Sequence, residues 1–294
     1  MDNIYVSIAS YRDLELTDTV YSLLSKAKDP TRIFVSVFSQ DETHPDLENL
    51  FNLFKVEGFV YDKVHFSEAK GVGYARTMTH KNLSTKFKYH LQIDSHTRFI
   101  KDWDNILIEQ YNNSCTFWNS DIIFSSYPIP YTYDDNGNEK MNKPIGANIA
   151  KMQNVKNNNL YTVNYEDRVI DEYGEWHGHF CAGFVFGLSE HFLKVPYDPF
   201  LYFYGEEHLM SIRMFCNNIK VIAPPRTYVY HHYYGENTRI KHWESQLNWG
   251  QYQELSLQRI KMFFDFKKLG GYGMLTTEKY KEWEDKFIIK EVDQ

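Results

Sequence analysis

Leu91-Gln92-Ile93-Asp94-Ser95-His96 runs an apolar stretch into an acid, a small residue and a histidine. In an extended chain, residues two apart face the same way. Asp94 and His96 are therefore expected to address one ion. A divalent cation there neutralises a diphosphate, the hard part of making a nucleotide a leaving group. The plainer reading makes Asp94 a turn cap and His96 a surface residue, and the triplet alone does not choose. Tyr230-His231-His232-Tyr233 follows a short β-prone stretch. His231 and His232 would lie on opposite faces of a strand, so only one of them can add an imidazole ligand; such pairs also serve as plain structure.

Two further segments offer polar groups at helix starts. Ala69-Lys70-Gly71-Val72-Gly73-Tyr74-Ala75-Arg76 places two glycines before a helical pattern. Glycine lets the backbone approach a ligand, and a helix N-terminus favours phosphate. Arg76 adds a charged fork. No Gly-Lys-Ser/Thr follows and the third glycine of a dinucleotide fingerprint is missing, so a simple tight turn is the competing reading. Tyr202-Phe203-Tyr204-Gly205-Glu206-Glu207-His208 sets two carboxylates at a helix start. They suit the helix dipole, or one of them holds an acceptor hydroxyl or faces positive charge developing on a sugar.

These groups need a scaffold that gathers them. Ile4–Ile8, Ile33–Phe38, Lys63–Phe66 and Tyr89–Ile93 read as strands, separated by helical spacing at Leu16–Ala27, Leu47–Phe54 and Gly73–Leu83. Alternation of this kind predicts an α/β fold with a mostly parallel central sheet flanked by helices. Ligands in such sheets sit beyond the carboxyl ends of the strands. Residues 128–160, rich in Pro, Asp, Asn and Gly, read as a long excursion across the site. Cys181–Gly187 reads as a strand containing Gly183, Gly205–Asn217 as a helix, Tyr228–Tyr230 as a short strand and Trp243–Phe264 as a helix. The polar residues after Lys290 are expected to fray.

The 294 residues are 43% hydrophobic and 24% charged, as expected for a globular chain with a sizeable core. A net charge of −7 disfavours nucleic-acid binding by bulk electrostatics. Aromatic residues reach 17%, which suits either a core or a surface for bases and sugar rings. Cys115, Cys181 and Cys216 form neither a zinc pattern nor a disulfide framework, which fits a reducing compartment. Met1–Ser10 has the pattern of neither a leader nor an anchor, and no apolar run reaches spanning length. A cytoplasmic location with no membrane partner is the expectation.

Taken in order, Ile8-Ala9-Ser10-Tyr11-Arg12-Asp13, Ala75-Arg76, Gln92-Ile93-Asp94-Ser95-His96, Tyr204-Gly205-Glu206-Glu207 and His231 resemble one family. It is that of the cytoplasmic N-acetylglucosaminyltransferases acting on hydroxyproline of the Skp adaptor of ubiquitin ligases, related to the polypeptide N-acetylgalactosaminyltransferases. The resemblance covers about residues 4–245. It implies a GT-A (Rossmann-like) domain over 1–245 and a helical extension over 246–294 packed on it. It implies a retaining enzyme that uses UDP-N-acetylglucosamine with manganese or magnesium. Asp94 and His96 would take the metal, with His231 ahead of His232 as third ligand. Ser10, Arg12, Asp13, Gly71, Gly73, Arg76, Asp94 and Gly183 would line the nucleotide sugar. Glu206 would be the acceptor-side carboxylate and Glu207 its support. The hydroxyl acceptor is a protein, a glycan or a hydroxymethylated DNA base. The DNA case needs a basic face, drawn from Lys81, Lys86, Lys88, Lys101, Lys151 and Lys156. A silent carbohydrate-binding protein and a metallohydrolase are the alternatives from other classes.

Overall fold

Ile4–Tyr11 reads IYVSIASY, apolar at nearly every inward and outward position. That pattern belongs to a strand covered on both faces, and this is the strand's situation in the computed structural model. The structure describes residues 2–143, 147–157, 160–233, 240–266 and 277–289. In chain order its regular elements begin with β1 (Ile4–Tyr11), α1 (Leu16–Ser25), β2 (Ile33–Gln40), α2 (Glu48–Phe54), β3 (Gly58–Val64), α3 (Val72–Thr79), β4 (Tyr89–Asp94), β5 (Thr97–Phe99), α4 (Trp103–Trp118) and β6 (Ile122–Ser125). There follow β7 (Ile129–Tyr133), β8 (Glu139–Met141), β9 (Ala147–Asn157), β10 (Leu160–Arg168), β11 (Glu175–Trp176), β12 (Phe184–Leu188), α5 (Ser189–Lys194) and α6 (Glu206–Cys216). The chain continues through β13 (Lys220–Ala223), β14 (Val229–His231), α7 (His242–Ser245), α8 (Trp249–Phe266), α9 (Thr277–Phe287) and β15 (Ile288–Ile289).

The main sheet runs β11-β13-β6-β12-β4-β1-β2-β3. Its β3-β2-β1-β4 part is parallel throughout, while β12 runs antiparallel between β4 and β6. One face carries α1 and α4, which bury Val20, Leu23, Trp103, Leu107 and Tyr111 against Val6, Val35 and Leu91. The other buries Tyr5, Phe87 and Val185 with Met210 and Met214 of α6. The helices cover both faces, so the carboxyl edge of the parallel strands is where a ligand can enter. A second sheet, β5-β14-β7-β8, stands against that edge. Behind α6, Ile260 and Phe263 of α8 and Trp283 of α9 form a further apolar cluster with Leu209 and Ile212. Among the described residues no helix is long and apolar enough to cross a membrane.

Several expected boundaries move. Residues 128–160 hold strands rather than one loop: β7 and β8 pair, and β9 pairs antiparallel with β10. β9, ANIAKMQNVKN, mixes polar and apolar residues without the alternation that marks a strand in sequence; Asn158 and Asn159 lie outside the described residues. The helical pattern from Trp243 to Phe264 is cut between α7 and α8, because Gln246 adopts an extended conformation and its side chain donates to Phe66 O at 2.7 Å. β12 begins at Phe184, after a turn closed by Phe184 N–H to Cys181 O, so Gly183 precedes the strand. α3 stops at Thr79 instead of Leu83. The segment after Ile289 lies outside the described residues.

Candidate active site

The site assembles from strand ends by register. β1 and β4 are parallel neighbours with Ala9 opposite Asp94, so the end of β1 runs beside the Asp94 carboxylate. β5 pairs antiparallel with β14, setting His231 opposite Thr97, and His232 N–H donates to His96 O at 3.0 Å. A residue far along the chain thereby reaches the Asp-x-His triplet. One side-chain donor atom from each of Asp94, His96 and His231 lies within 4.8 Å of the others. The two imidazoles meet edge to face at 4.3 Å, and His231 Nε2 stands 3.1 Å from Asp94 Oδ2. His232 faces the other way, as strand alternation requires, and stacks on Tyr131 at 5.2 Å. It is not in the cluster.

Asp13 orients this group. Its Oδ2 accepts from Ser95 Oγ and from His96 Nδ1, each at 2.6 Å. With Nδ1 bonded to a buried carboxylate, Nε2 is the nitrogen of His96 that would ligate, an arrangement common around metal-bound histidine. Arg76 lies behind Asp94, with Nη2 3.3 Å from Oδ1 and Nη1 paired to Glu206. Burial pushes the Asp94 carboxyl up, but the His231 hydrogen bond and the charges of Arg76, His231 and His96 outweigh it. The carboxyl is held well below the ordinary carboxylate range. Burial also works against the Arg76 charge, and Tyr197, Asp94 and Glu207 outweigh it.

A cavity of about 240 Å³ opens over these residues. Ser10, Tyr11, Asp13 and Gln40 line it from the ends of β1 and β2, Gly71 and Arg76 from α3, and Asp94, Ser95, His96 and His231 from the cluster. Gly71 takes φ +97°, and a Cβ there would stand 2.4 Å from Tyr202 O; only glycine permits that approach. Gly73 does not border the cavity. Its missing side chain leaves room for the carbonyls of Asp198 and Leu201, 2.5 and 2.6 Å from a Cβ, so it is a packing glycine. Arg12 also stays outside, bonding Glu42 at 3.1 Å and lying over the Phe66 ring at 4.2 Å. Gly183 is next to the cluster: a Cβ there would come 3.2 Å from Asp94 Oδ2.

Neither Glu206 nor Glu207 lines that cavity. Glu206 is 4% exposed and committed to Arg76. Glu207 is less buried. Its Oε1 accepts from the Ala182 amide at 2.7 Å and its Oε2 from the Tyr127 hydroxyl. The Glu207 carboxyl is raised above its ordinary range: burial lifts it, Tyr127, Ala182 and Arg76 offset only part of the rise, and Asp94 adds to it.

Residues that the motifs did not single out close the cavity. Ile240, Lys241, His242 and Trp243 line one part of its wall. Phe203 packs against His242 at 4.7 Å and Trp243 at 5.4 Å. Tyr11 and Ser245 share a hydrogen bond of 2.5 Å. An aromatic pair, His242-Trp243, in a polar stretch was the available signal; nothing in sequence places it over β1.

The sheet is parallel from β3 to β4 with β12 antiparallel beyond it, and the Asp94, His96 and His231 side chains meet at its carboxyl edge. The family described as Glycosyltransferase (GlcNAc) matches over residues 3–59 and 49–291, and the chain belongs to it. No curated protein matches the chain in sequence. Among solved structures, GalNAc-T7 crystallised with UDP, GalNAc and Mn2+ is similar over 97% of this chain and 56% of its own, at 15% identity and a TM-score of 0.56. S. aureus TarS 1–349 is similar over 96% of this chain and 78% of its own, at 14% identity and a TM-score of 0.49.

Proposed function

We propose that this protein transfers a sugar from a UDP-sugar, UDP-N-acetylglucosamine by its sequence resemblance, to a hydroxyl with a divalent metal bound. The observation that carries the proposal is the convergence of Asp94, His96 and His231 beside Arg76 under one cavity. GalNAc-T7, of similar fold, was crystallised with UDP, GalNAc and Mn2+. One carboxylate and two imidazoles suit a borderline divalent ion such as manganese, with magnesium the harder alternative. When bound, that ion neutralises diphosphate charge.

The chain's own residues do the rest. Asp13 holds His96 in one tautomer and Arg76 balances Asp94. The ends of β1 and β2 and the Gly71 turn cradle the nucleotide, and the 240–243 segment covers it. Glu207, rather than Glu206, is the carboxylate assigned to the acceptor side, since Arg76, paired with Glu206 Oε1, offsets the Glu206 charge directly. An ionised Glu207 favours positive charge on the sugar ring in a retaining transfer. The acceptor reading is a protein or glycan hydroxyl, with hydroxyproline of Skp the one the resemblance names. For the DNA reading, Lys88 is paired with Asp2 at 2.7 Å, and the side chains of Lys151 and Lys156 lie outside the described residues.

The test is a panel of sugar nucleotides with Mn2+, scoring nucleotide release. UDP-N-acetylglucosamine should be hydrolysed slowly, and Asp94→Ala should abolish this while leaving the thermal unfolding transition cooperative. Full turnover in excess chelator refutes the metal, and turnover of no sugar nucleotide refutes the transfer.

A further inference from the structure

Glu206 and Glu207 open α6 and, being successive helical residues, point about 100° apart. Glu206 finds its partner in Arg76. Glu207 is gripped at both oxygens, by the Ala182 amide at 2.7 Å and the Tyr127 hydroxyl at 2.5 Å. Both grips adjoin the metal cluster. Ala182 precedes Gly183, whose absent Cβ leaves space beside Asp94 Oδ2. Tyr127 sits in the loop between β6 and β7. The next residue in that loop, Pro128, comes within 3.7 Å of the same absent Cβ and accepts at its carbonyl from the Tyr233 hydroxyl at 2.8 Å. Tyr233 follows β14, the strand that delivers His231. One phenol thus ties the start of α6 to the loop that borders the Asp94 cluster.

We propose that Tyr127 is a positioning residue for the transfer step, fixing the direction of the Glu207 carboxylate; this rests on the assignment of Glu207 to the acceptor side. Without the hydroxyl, Oε2 has lost its donor and the carboxylate is held at one oxygen only. A carboxylate held at both oxygens keeps one rotamer and accepts bonds that favour its charged form. The groups acting on it are Tyr127, the Ala182 amide and Arg76 on the charge-favouring side, and burial and Asp94 on the other. Removing Tyr127 therefore tips Glu207 toward the neutral acid, which cannot face developing positive charge. The role is one of aim and charge, and Tyr127 need not touch the sugar.

Tyr127→Phe keeps the ring and removes only the hydroxyl. In Mn2+-supported hydrolysis of UDP-N-acetylglucosamine it should lower kcat roughly 10- to 100-fold, the range for losing one hydrogen bond to a charged group, with donor KM nearly unchanged. The acid limb of the kcat profile should move to higher pH. In a Glu207→Gln background the same substitution should cost nothing further. An equal loss in both backgrounds, or an unmoved acid limb, overturns the proposal. A carboxyl 13C NMR titration, with Glu207→Gln supplying the assignment, needs no turnover. It should show Glu207 titrating higher in Tyr127→Phe than in the wild type, and an unchanged titration overturns the proposal. A wild type that hydrolyses no sugar nucleotide refutes the transfer reading instead, and the titration still decides whether Tyr127 governs Glu207.

Discussion

Substituting Gly183 by alanine tests the proposed metal site apart from the fold. Gly183 does not occupy the left-handed region, so its backbone accepts alanine without strain. The added Cβ would stand 3.7 Å from Pro128 Cδ and 3.8 Å from His231 Cδ2, both ordinary contacts, but 3.2 Å from Asp94 Oδ2. Only that oxygen has to yield, by a few tenths of an ångström. It is also the oxygen bonded to His231 at 3.1 Å, so the shift falls between two ligands of the cluster. Metal ligands tolerate displacements of only about 0.2 Å. The expected result is a loss of roughly 10- to 100-fold in Mn2+ affinity, the usual range for disturbing a ligand's support. Stability without metal should change by less than about 1 kcal/mol. Calorimetric titration of Mn2+ into protein with UDP reads the first, and urea unfolding in chelator reads the second. Gly187→Ala is the contrast: its Cβ would lie 2.8 Å from Ile123 Cγ2 within the core, so it should destabilise the fold without a specific loss of metal. Wild-type Mn2+ affinity in Gly183→Ala refutes the placement of the ion, and a loss of several kcal/mol in chelator shows that the glycine serves folding.

Arg76→Met should cost about 3–5 kcal/mol, the range for stripping one partner from a buried ion pair, since it leaves Glu206 and Asp94 unbalanced. Urea unfolding should show Arg76→Met/Glu206→Gln recovering part of that loss, and a double variant as unstable as the sum of the singles refutes the pairing. Stability should also fall as pH drops from about 6.5 toward 4. Burial, with the Arg76 charge added, lowers His80 to about 3, and burial lowers His242 to about 4. Burial also carries His90 well below its usual value. In that window the unfolded chain binds protons that the folded one refuses, so stability is full above about 6.5 and declines below it. A urea midpoint that rises between pH 7 and pH 5 contradicts this, and His80→Gln should flatten the decline.

Much of the parallel half of the fold was legible in sequence, and for one reason. β1 and β2 are buried on both faces and apolar at most positions, β4 sets Tyr89, Leu91 and Ile93 at alternate positions, and α1 repeats its apolar residues at helical spacing. Where a segment is polar, the pattern weakened. β9 read as part of a loop because its residues are mostly polar, and the break between α7 and α8 depends on a Gln246 bond to Phe66 O across the molecule. No local rule contains that bond.

The site divides in the same way. Residue types and spacing were enough to nominate Asp94 and His96, because an extended strand places both on one side. They were also enough to nominate a glycine turn before a helix, because few residues other than glycine adopt φ +97°. They left His231 and His232 open, as they did Glu206 and Glu207; only the family resemblance put His231 and Glu206 first. The tertiary structure gives each of the four a distinct neighbour. The β5–β14 register turns His231 toward Asp94 and sends His232 onto Tyr131. The approach of α3 to α6 gives Glu206 to Arg76 and leaves Glu207 to Tyr127 and Ala182. A local sequence states which groups a strand or helix start can offer; which neighbour neutralises, aims or excludes each group depends on segments distant in the chain, 130 residues for Arg76 and Glu206 and 80 for Tyr127 and Glu207, and only their packing together sets that.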